Sequence, residues 1–271
     1  MPIIISQNLL NLNKFSMMKA VVLGGAGVMG SHAADFLSKS GVFSDVIVAD
    51  LNINRAKEIA NKINADYAKV DAGNEESIKD VVRNTDVVIN AIGPFYKFAY
   101  RVLKSVIEAG ANYVDICDDY DVTLKIIDEL NEKAKKQNVT AIVGLGASPG
   151  ITNVAASYAV EQMDEVDEIK IYVTRSLKEE AGGAIPYHML HAWLGEVPVY
   201  ENGEFKKKRG LKDGKECIKF PHPFGEAFVY YLVIQKRLHY QDILKQRMYH
   251  AKVHFSRSIS ATFLFSLTQL D

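Results

Sequence analysis

The stretch "KAVVLGGAGVMGSHAADFL", Lys19–Leu37, is the part of the sequence that most strongly indicates a fold. An apolar run rich in valine precedes the glycines and an amphipathic helical pattern follows them, so the stretch predicts a strand, a tight turn and a helix. Gly25, Gly27 and Gly30 have the G-x-G-x-x-G spacing. In that spacing the first glycine permits the turn, the second lets the backbone approach a pyrophosphate, and the third lets the helix pack closely on the strand.

The helix is predicted to begin near Val28, so the backbone N–H groups of Val28 and Met29 would face the phosphates, where the helix dipole favours negative charge. Asp50 ends the second predicted strand, 20 residues after Gly30, which is where an acid that binds the ribose belongs. The combination of strand, helix and acid predicts a dinucleotide-binding site. The alternative is a glycine turn with a purely structural role.

The identity of the nucleotide depends on two neighbouring residues. The Asp50 carboxylate can accept hydrogen bonds from both ribose hydroxyls and would repel a 2′-phosphate, which favours NAD. Arg55 lies just beyond it, and an arginine near that turn can accommodate a phosphate. NADP therefore stays open.

Six short runs rich in Val and Ile alternate with amphipathic helical patterns along residues 20–145. Because parallel strands need crossover helices, this alternation predicts an α/β fold with a doubly wound parallel sheet of the Rossmann type. In such a sheet ligands bind off the carboxyl ends of the strands. Four residues at those ends are predicted to face the cofactor: Asp71, Asn90, Gly93 and Pro94. The alternatives are an ordinary strand-end acid for Asp71 and helix initiation for Pro94.

The pattern changes after Gly146 to a helical stretch, a strand and two hairpin signals, Asn202-Gly203 and Asp213-Gly214. This change predicts a second, α+β region. The predicted organisation is an N-terminal extension at residues 1–17, an NAD(P)-binding domain at 18–147, a partial second domain at 148–232 and a tail at 233–271.

Three residues are candidates for acid–base work. Asp118 and Asp119 follow the fifth predicted strand, where a carboxylate can hold a substrate ammonium group or move protons. The alternative is that they cap the following helix. Tyr96, after the Gly-Pro turn, is a candidate proton donor, with packing as the alternative.

The loop "GLGASPGITN", residues 144–153, ends the sixth predicted strand. Gly146 is predicted to contact the nicotinamide, and Gly150 and Asn153 are predicted to meet a substrate carboxylate through backbone amides; an ordinary helix-entry turn is the alternative. Arg175 is a candidate carboxylate clamp, because its planar fork fits a carboxylate. A solvated arginine at a strand end is the alternative.

Several function classes are disfavoured. The formal net charge of -1 creates no general attraction to nucleic acid or membrane surfaces, and no run of 18 apolar residues occurs. His188 and His191 are too few for a zinc site, so no metal is predicted. Cys117 and Cys217 are too few for a disulfide framework, which favours reduced thiols and a cytoplasmic location.

Four stretches together carry a resemblance: "GGAGVMG", "VDAGNEESIKDVVRNTDVVINAIGPFY", "VLKSVIEAGANYVDICDD" and "GLGASPGITNVAAS". Over about residues 18–232 the chain resembles the saccharopine dehydrogenase-like reductases, which include saccharopine reductases, lysine 6-dehydrogenases and carboxynorspermidine synthases. The resemblance implies an NAD(P)-linked oxidoreductase that acts at a carbon–nitrogen bond of a small amino-acid substrate. It also implies a homodimer formed through the second domain. Saccharopine reductase, lysine 6-dehydrogenase and a non-catalytic nucleotide-binding remnant all stay open.

The tail departs from that family. Val233–Asp271 contains no Gly, Pro or Glu, and it carries six Lys and Arg against two Asp. A one-base deletion in codons for the family-like continuation Gly-His-Ser-Glu-Thr-Ile-Thr-Leu-Pro-Arg-Tyr-Ile-Lys yields the stretch Val233–Lys245, residue for residue. We therefore expect a shift of reading frame after Leu232 and an incomplete substrate domain. The alternative is a genuine, divergent basic tail.

Overall fold

The structure is a computed structural model, which describes residues 18–164, 166, 168–176, 196–201, 204–231, 248–256 and 262–268. The predicted N-terminal extension, the pair His188 and His191, and most of the predicted tail lie outside the described residues.

Six strands form one parallel sheet in the order β3-β2-β1-β4-β5-β6. The strands are β1 Met18–Leu23, β2 Phe43–Asp50, β3 Asp66–Lys69, β4 Val87–Asn90, β5 Asn112–Asp115 and β6 Ala141–Ile142. All six match predicted strands. Residues 20–23 of the central strand β1 are all apolar and fully buried, as expected for a strand covered on both faces. The winding direction reverses between β1 and β4, which is where sheets of this type bind ligands.

Five helices connect these strands or follow them: α1 Val28–Lys39, α2 Ile53–Ile63, α3 Glu75–Val82, α4 Phe95–Ala109 and α5 Tyr120–Lys136. Asparagine side chains start two of them. Asn52 Oδ1 accepts the N–H of Arg55 at α2, and Asn74 Oδ1 accepts the N–H groups of Glu76 and Ser77 at α3. These caps satisfy first-turn donors that have no partner within the helix.

The second sheet is mixed and has seven strands. A helix, α6 Ile151–Val160, precedes β7 Glu168–Ser176, β8 Glu196–Glu201, β9 Glu204–Arg209, β10 Glu216–Phe220, β11 Gly225–Tyr231, β12 Met248–Ser256 and β13 Thr262–Thr268. The order is β10-β11-β12-β7-β13, with β8 paired to both β12 and β9. Strands β7 and β12 are parallel, whereas the other pairs are antiparallel.

The two hairpin predictions have different outcomes. Strands β8 and β9 are antiparallel with Glu201 opposite Glu204, as the first prediction expects, and the turn residues Asn202 and Gly203 lie outside the described residues. The hairpin at Asp213-Gly214 is wrong, because β10 pairs with β11 instead of β9. Asp213 Oδ2 accepts the Arg209 N–H at 2.7 Å, so the turn closes on itself and does not align the two flanking strands.

The chain divides into two compact units: Met1–Asp115 with Lys125–Val143, and Ile116–Leu124 with Gly144–Asp271. The first unit contains the parallel sheet and the second contains the mixed sheet. None of the helices in the described part of the chain has both the length and the apolar character needed to cross a bilayer.

Candidate functional site

The turn after β1 depends on a glycine that the spacing rule does not include. Gly24 has a φ of +74°, and a Cβ built there would lie 2.9 Å from both the carbonyl carbon and oxygen of Ala91. A side chain is therefore excluded by backbone conformation and by space. The doubled glycine before Ala26 was the available signal for this position.

The three glycines of the motif occupy crowded places around this turn. A Cβ at Gly25 would lie 2.8 Å from Val48 Cγ1, and one at Gly27 would lie 3.1 Å from Gly24 O. A Cβ at Gly30 would overlap the same Gly24 oxygen. The helix therefore packs directly against the backbone of the turn, as the third glycine of the motif requires.

The first turn of α1 faces outward without a side-chain cap. Gly27 is the N-cap residue and makes no side-chain hydrogen bond. Val28 is half-buried and Met29 is 59% exposed. Uncapped N–H groups at a helix N-terminus favour an anionic ligand.

The Asp50 side chain is hydrogen-bonded to the glycine turn. Its Oδ2 accepts the N–H of Ala26 at 3.1 Å, and its Oδ1 accepts the N–H of Asn52 at 3.0 Å. The carboxylate therefore lies at the end of β2 in a fixed orientation beside the turn. Arg55 is exposed, in the first turn of α2.

Asp71 lies in the loop after β3, beyond the strand that it was predicted to end. Its Oδ1 accepts the Gly73 N–H at 2.7 Å, and its backbone N–H donates to Ser77 Oγ at 3.0 Å. Arg101 Nη1 donates to Ala72 O at 3.4 Å. These contacts shape the loop at the carboxyl end of β3.

Asn90 is the last residue of β4 and is fully buried. Its Nδ2 donates to Tyr113 Oη at 2.9 Å, and its Oδ1 accepts the Ile92 N–H at 3.0 Å. Tyr113 Oη donates to Asp115 Oδ2 at 2.8 Å. The sequence pattern did not give Tyr113 a place in the site, because a tyrosine inside a strand is usually part of the core.

The loop after β4 leads directly into α4. Gly93 and Pro94 are half-buried, and Pro94 is the N-cap residue of the helix. Tyr96 lies in the first turn of α4 and is also half-buried. Both interpretations of Pro94, helix initiation and a place at the sheet end, are consistent with this position.

The predicted acids of the fifth strand belong to the second unit. Asp118 is half-buried, and Asp119 is 2% exposed. The Asp119 carbonyl accepts the Thr123 N–H at 3.3 Å and the Thr123 hydroxyl at 2.9 Å. Cys117 is buried beside them, with Sγ 3.8 Å from Asp119 O. The backbone of Asp119 thus begins α5.

The loop before α6 closes through backbone contacts. Gly146 N–H donates to Pro149 O at 3.0 Å, and Ile151 N–H donates to Gly146 O at 2.9 Å. Gly150 has a φ of +120°, and a Cβ there would overlap Gly146 O. Asn153 lies in the first turn of α6, where its Oδ1 accepts from the Thr152 hydroxyl at 3.3 Å.

Two tyrosines of the mixed sheet are held as hydrogen-bond donors. Burial, with the charge of Glu216 as the second cause, raises the pKa of Tyr172, whose Oη donates to Glu216 Oε1 at 3.2 Å. Burial also raises the pKa of Tyr231 to about 12, with the charge of Glu201 as the second cause. Both hydroxyls therefore stay protonated at neutral pH.

The predicted residues separate by unit. The first unit holds Gly25, Gly27, Val28, Met29, Gly30, Asp50, Arg55, Asp71, Asn90, Gly93, Pro94 and Tyr96, and the second holds Asp118, Asp119, Gly146, Gly150, Asn153 and Arg175. The backbone of Arg175 lies in β7, but its side chain lies outside the described part of the chain. The described residues contain no cluster of three or more His, Cys, Asp or Glu that could hold a metal ion.

We compared the chain with protein families and with curated proteins. Residues 20–142 match the family described as the saccharopine dehydrogenase NADP binding domain. The chain is 28% identical over 137 residues to a lipid droplet localized protein of Caenorhabditis elegans, covering 46% of this chain and 32% of that protein. It is 25% identical over 210 residues to the carboxynorspermidine synthase of Vibrio alginolyticus, covering 68% of this chain and 50% of that enzyme. The chain thus spans between 32% and 50% of the length of these curated relatives.

The fold is shared with a solved structure. Apo saccharopine dehydrogenase (L-Glu forming) from Saccharomyces cerevisiae has a TM-score of 0.68 and 17% identity, over 88% of this chain and 55% of that one. The similarity confirms the predicted doubly wound fold. The family match confirms the predicted dinucleotide-binding domain.

Proposed function

We propose that the chain is an NAD(P)-dependent oxidoreductase, because residues 20–142 match the family described as the saccharopine dehydrogenase NADP binding domain. Its reaction is at a carbon–nitrogen bond of a small amino-acid substrate. One relative with a named activity supports this proposal, the carboxynorspermidine synthase that matches over 210 residues.

The observation that carries this proposal is the link between Asp50 and the glycine turn. A carboxylate has about four acceptor sites. Two of them accept the N–H groups of Ala26 and Asn52. The other two suit the pair of hydroxyls on a ribose whose phosphate lies at the adjacent turn.

The turn also fits a pyrophosphate. Any side chain at Gly24 or Gly30 would clash with backbone atoms, so the turn itself presents backbone next to the α1 N-terminus. The uncapped first turn of α1 offers N–H groups and the positive end of the helix dipole. A dinucleotide supplies both negative phosphates and ribose hydroxyls for these two features.

NAD is the proposed cofactor, with NADP as the alternative. A 2′-phosphate would lie next to the Asp50 carboxylate and be repelled by it. Arg55 is exposed nearby in sequence, and its guanidinium supports the NADP alternative.

The remaining roles are assigned to the chain's own residues as proposals. The nicotinamide ring, when bound, supplies hydride transfer. Asn90, Gly93, Pro94 and Gly146 orient that half of the cofactor. The protons of the amine chemistry are held or moved by Tyr96, Asp118 or Asp119.

Substrate recognition is assigned to three further residues. The backbone amides near Gly150 and Asn153 would donate to a substrate carboxylate. Arg175 would neutralise its charge. Saccharopine reductase is the first candidate activity and lysine 6-dehydrogenase the alternative, and a non-catalytic nucleotide-binding remnant is the candidate outside enzymes.

The cellular setting is part of the proposal. The chain has two cysteines, Cys117 and Cys217, which are too few for a disulfide framework and support a reducing compartment and hence the cytoplasm. We propose a homodimer formed through the second unit, on the ground of the family resemblance.

Three assays on the purified chain test the proposed function. Binding of NADH and NADPH is measured by nicotinamide fluorescence. NAD reduction is then followed with lysine, and NADH oxidation is followed with an amino-acid semialdehyde plus glutamate. Turnover with either pair supports an oxidoreductase, binding without turnover supports the remnant, and no affinity for either nucleotide would contradict both.

A further inference from the structure

A buried hydrogen-bond chain joins the ends of β4 and β5. It consists of Asn90, Tyr113 and Asp115, all of which have no exposed surface. Asn90 and Asp115 are the last residues of their strands and are register partners. The chain therefore lies at the carboxyl end of the sheet, where the ligand crevice of this fold is found.

The direction of the hydrogen bonds is fixed. Asn90 Oδ1 accepts the Ile92 N–H at 3.0 Å, so the other end of the amide, Nδ2, must be the donor to Tyr113 Oη at 2.9 Å. Tyr113 Oη then gives its own proton to Asp115 Oδ2 at 2.8 Å. The chain runs one way, from the backbone of the β4–α4 loop to a carboxylate.

The loop at the start of this chain is also held from its other side. Ala91 N–H donates to Leu23 O at 2.8 Å. The Ala91 carbonyl and the Ile92 amide lie against Gly24, so close that a Cβ at Gly24 would come within 3.0 Å of them. The β4–α4 loop and the glycine turn are thus in backbone contact.

Burying a polar network between two strand ends costs free energy. Buried polar groups lose hydration, and they stabilise a unique arrangement only when every member has a partner. In the interior of β4, the apolar side chain of Val88 is fully buried. At the other end of β5 the polar side chain of Asn112 also forms hydrogen bonds, but it is exposed. The fully buried polar network therefore lies at the crevice end of these strands, which indicates a role connected with the ligand.

We propose that Asn90, Tyr113 and Asp115 are positioning residues that fix the β4–α4 loop for the nicotinamide half of the cofactor. The inference rests on the proposed function. In a doubly wound sheet the two mononucleotide halves bind on opposite sides of the point where the winding reverses. The half that contains β1, β2 and Asp50 takes the adenosine part, so β4 and β5 serve the nicotinamide part.

Two ligands separate this role from a general effect on folding. ADP needs only the glycine turn and Asp50, whereas NADH needs the β4–α4 loop as well. Tyr113→Phe removes the hydroxyl at the middle of the chain and keeps the ring. We expect its Kd for NADH to rise about tenfold, as for the loss of about 1.4 kcal/mol, while its Kd for ADP stays within about twofold of wild type.

Two further variants complete the experiment. Tyr100→Phe is the matched control, because its hydroxyl donates to Glu129 of α5, and it should bind both ligands as wild type does. Asp115→Asn keeps an oxygen acceptor for Tyr113 and should retain more NADH affinity than Asp115→Ala. It also provides the test if Tyr113→Phe fails to fold.

Three results would overturn the inference. In the first, Tyr113→Phe binds NADH as wild type does. In the second, it loses NADH and ADP affinity in the same proportion, which is the result for a merely structural role. In the third, Asp115→Asn and Asp115→Ala are equally impaired. Failure of the proposed function is distinct, because the wild-type chain itself would then bind neither ligand.

Discussion

At the scale of single residues, Gly24 must be glycine for two separate reasons. Its φ of +74° strains any L side chain, and a Cβ would lie 2.9 Å from the Ala91 backbone. We expect Gly24→Ala to destabilise the chain by more than the roughly 1 kcal/mol that backbone strain alone costs, and to weaken NADH binding at least about tenfold. Urea unfolding and NADH fluorescence measure the two effects.

Gly41 provides the matched control for that variant. Its φ is +69°, and a Cβ there would meet nothing within 4 Å. Gly41→Ala should therefore show the strain cost of about 1 kcal/mol with unchanged NADH affinity. Equal behaviour of the two variants in both assays would show that the contact between Gly24 and Ala91 has no role.

A second prediction for a single residue concerns Asp50, whose carboxylate should determine the preference for NADH over NADPH. Asp50→Asn keeps the shape but removes the negative charge and part of the acceptor capacity. We expect the Kd for NADH to rise and the Kd for NADPH to fall, so that their ratio moves about tenfold or more toward NADPH. Asp45→Asn, an exposed position earlier in β2, is the control and should leave the ratio unchanged. An unchanged ratio in Asp50→Asn would count against a ribose contact at this carboxylate.

Some of these residues could be predicted from sequence and others could not. Gly25, Gly27, Gly30 and Asp50 follow from spacing, because the turn and the ribose acid have a fixed separation along the chain. The role of Tyr113 does not follow from spacing. Its hydroxyl joins Asn90 of β4 to Asp115 of its own strand β5, and the adjacency of these two strands is a property of the folded sheet.

At the scale of the element, the asparagine cap of α3 is a discrete contribution to stability. Asn74 Oδ1 accepts two N–H groups, from Glu76 at 3.0 Å and from Ser77 at 3.3 Å. Asn74→Ala should lower the free energy of unfolding by about 1 kcal/mol, measured by urea denaturation. Asn74→Asp should retain most of it, since a carboxylate also accepts these bonds and complements the helix dipole.

Asn131 is the control for the cap. It lies inside α5, and its side chain makes a 3.4 Å contact with Glu132. Asn131→Ala should change the free energy of unfolding by less than about 0.5 kcal/mol, as is usual at a surface position. A loss in Asn74→Ala no larger than this would mean that water replaces the cap without penalty.

The elements differ in how well they can be predicted. The strands of the parallel sheet are short, apolar and separated by amphipathic helices, so both their positions and their parallel pairing follow from local pattern. In the second unit, local turn chemistry located the turn near Asp213-Gly214 but not the pairing of β10 with β11. Pairing there is a choice among several strands, and turn residues alone do not determine it.

At the scale of the whole molecule, the predicted tail supplies strands to the second sheet. Strands β12 and β13 flank β7, with His254 and Thr262 as the register partners of Thr174. Thr174 Oγ1 is one of two buried side-chain polar atoms without a hydrogen-bond partner among the described residues. An unsatisfied buried hydroxyl costs about 1–3 kcal/mol.

Thr174→Val tests whether this buried hydroxyl is unsatisfied. It replaces the unsatisfied hydroxyl by a methyl group of similar size, so the free energy of unfolding should stay equal or rise by about 1 kcal/mol. Thr123→Val is the matched control, because its hydroxyl donates to Asp119 O at 2.9 Å, and it should be destabilised by about 1 kcal/mol. A clear loss of stability in Thr174→Val would indicate that its hydroxyl has a hydrogen-bond partner.

The reading frame after Leu232 is the remaining prediction at this scale. If the stretch Val233–Lys245 is an out-of-frame translation, the gene read in another frame from that point will encode a continuation like that of the family. Restoring this frame should then raise turnover in the amine assays, because a substrate domain completed by its own sequence buries apolar surface that a foreign tail leaves poorly matched. NADH affinity should change much less, because the glycine turn and Asp50 both belong to the first unit. Sequencing the gene is the first measurement, and the absence of any frame with the family pattern would identify the tail as a genuine divergent segment.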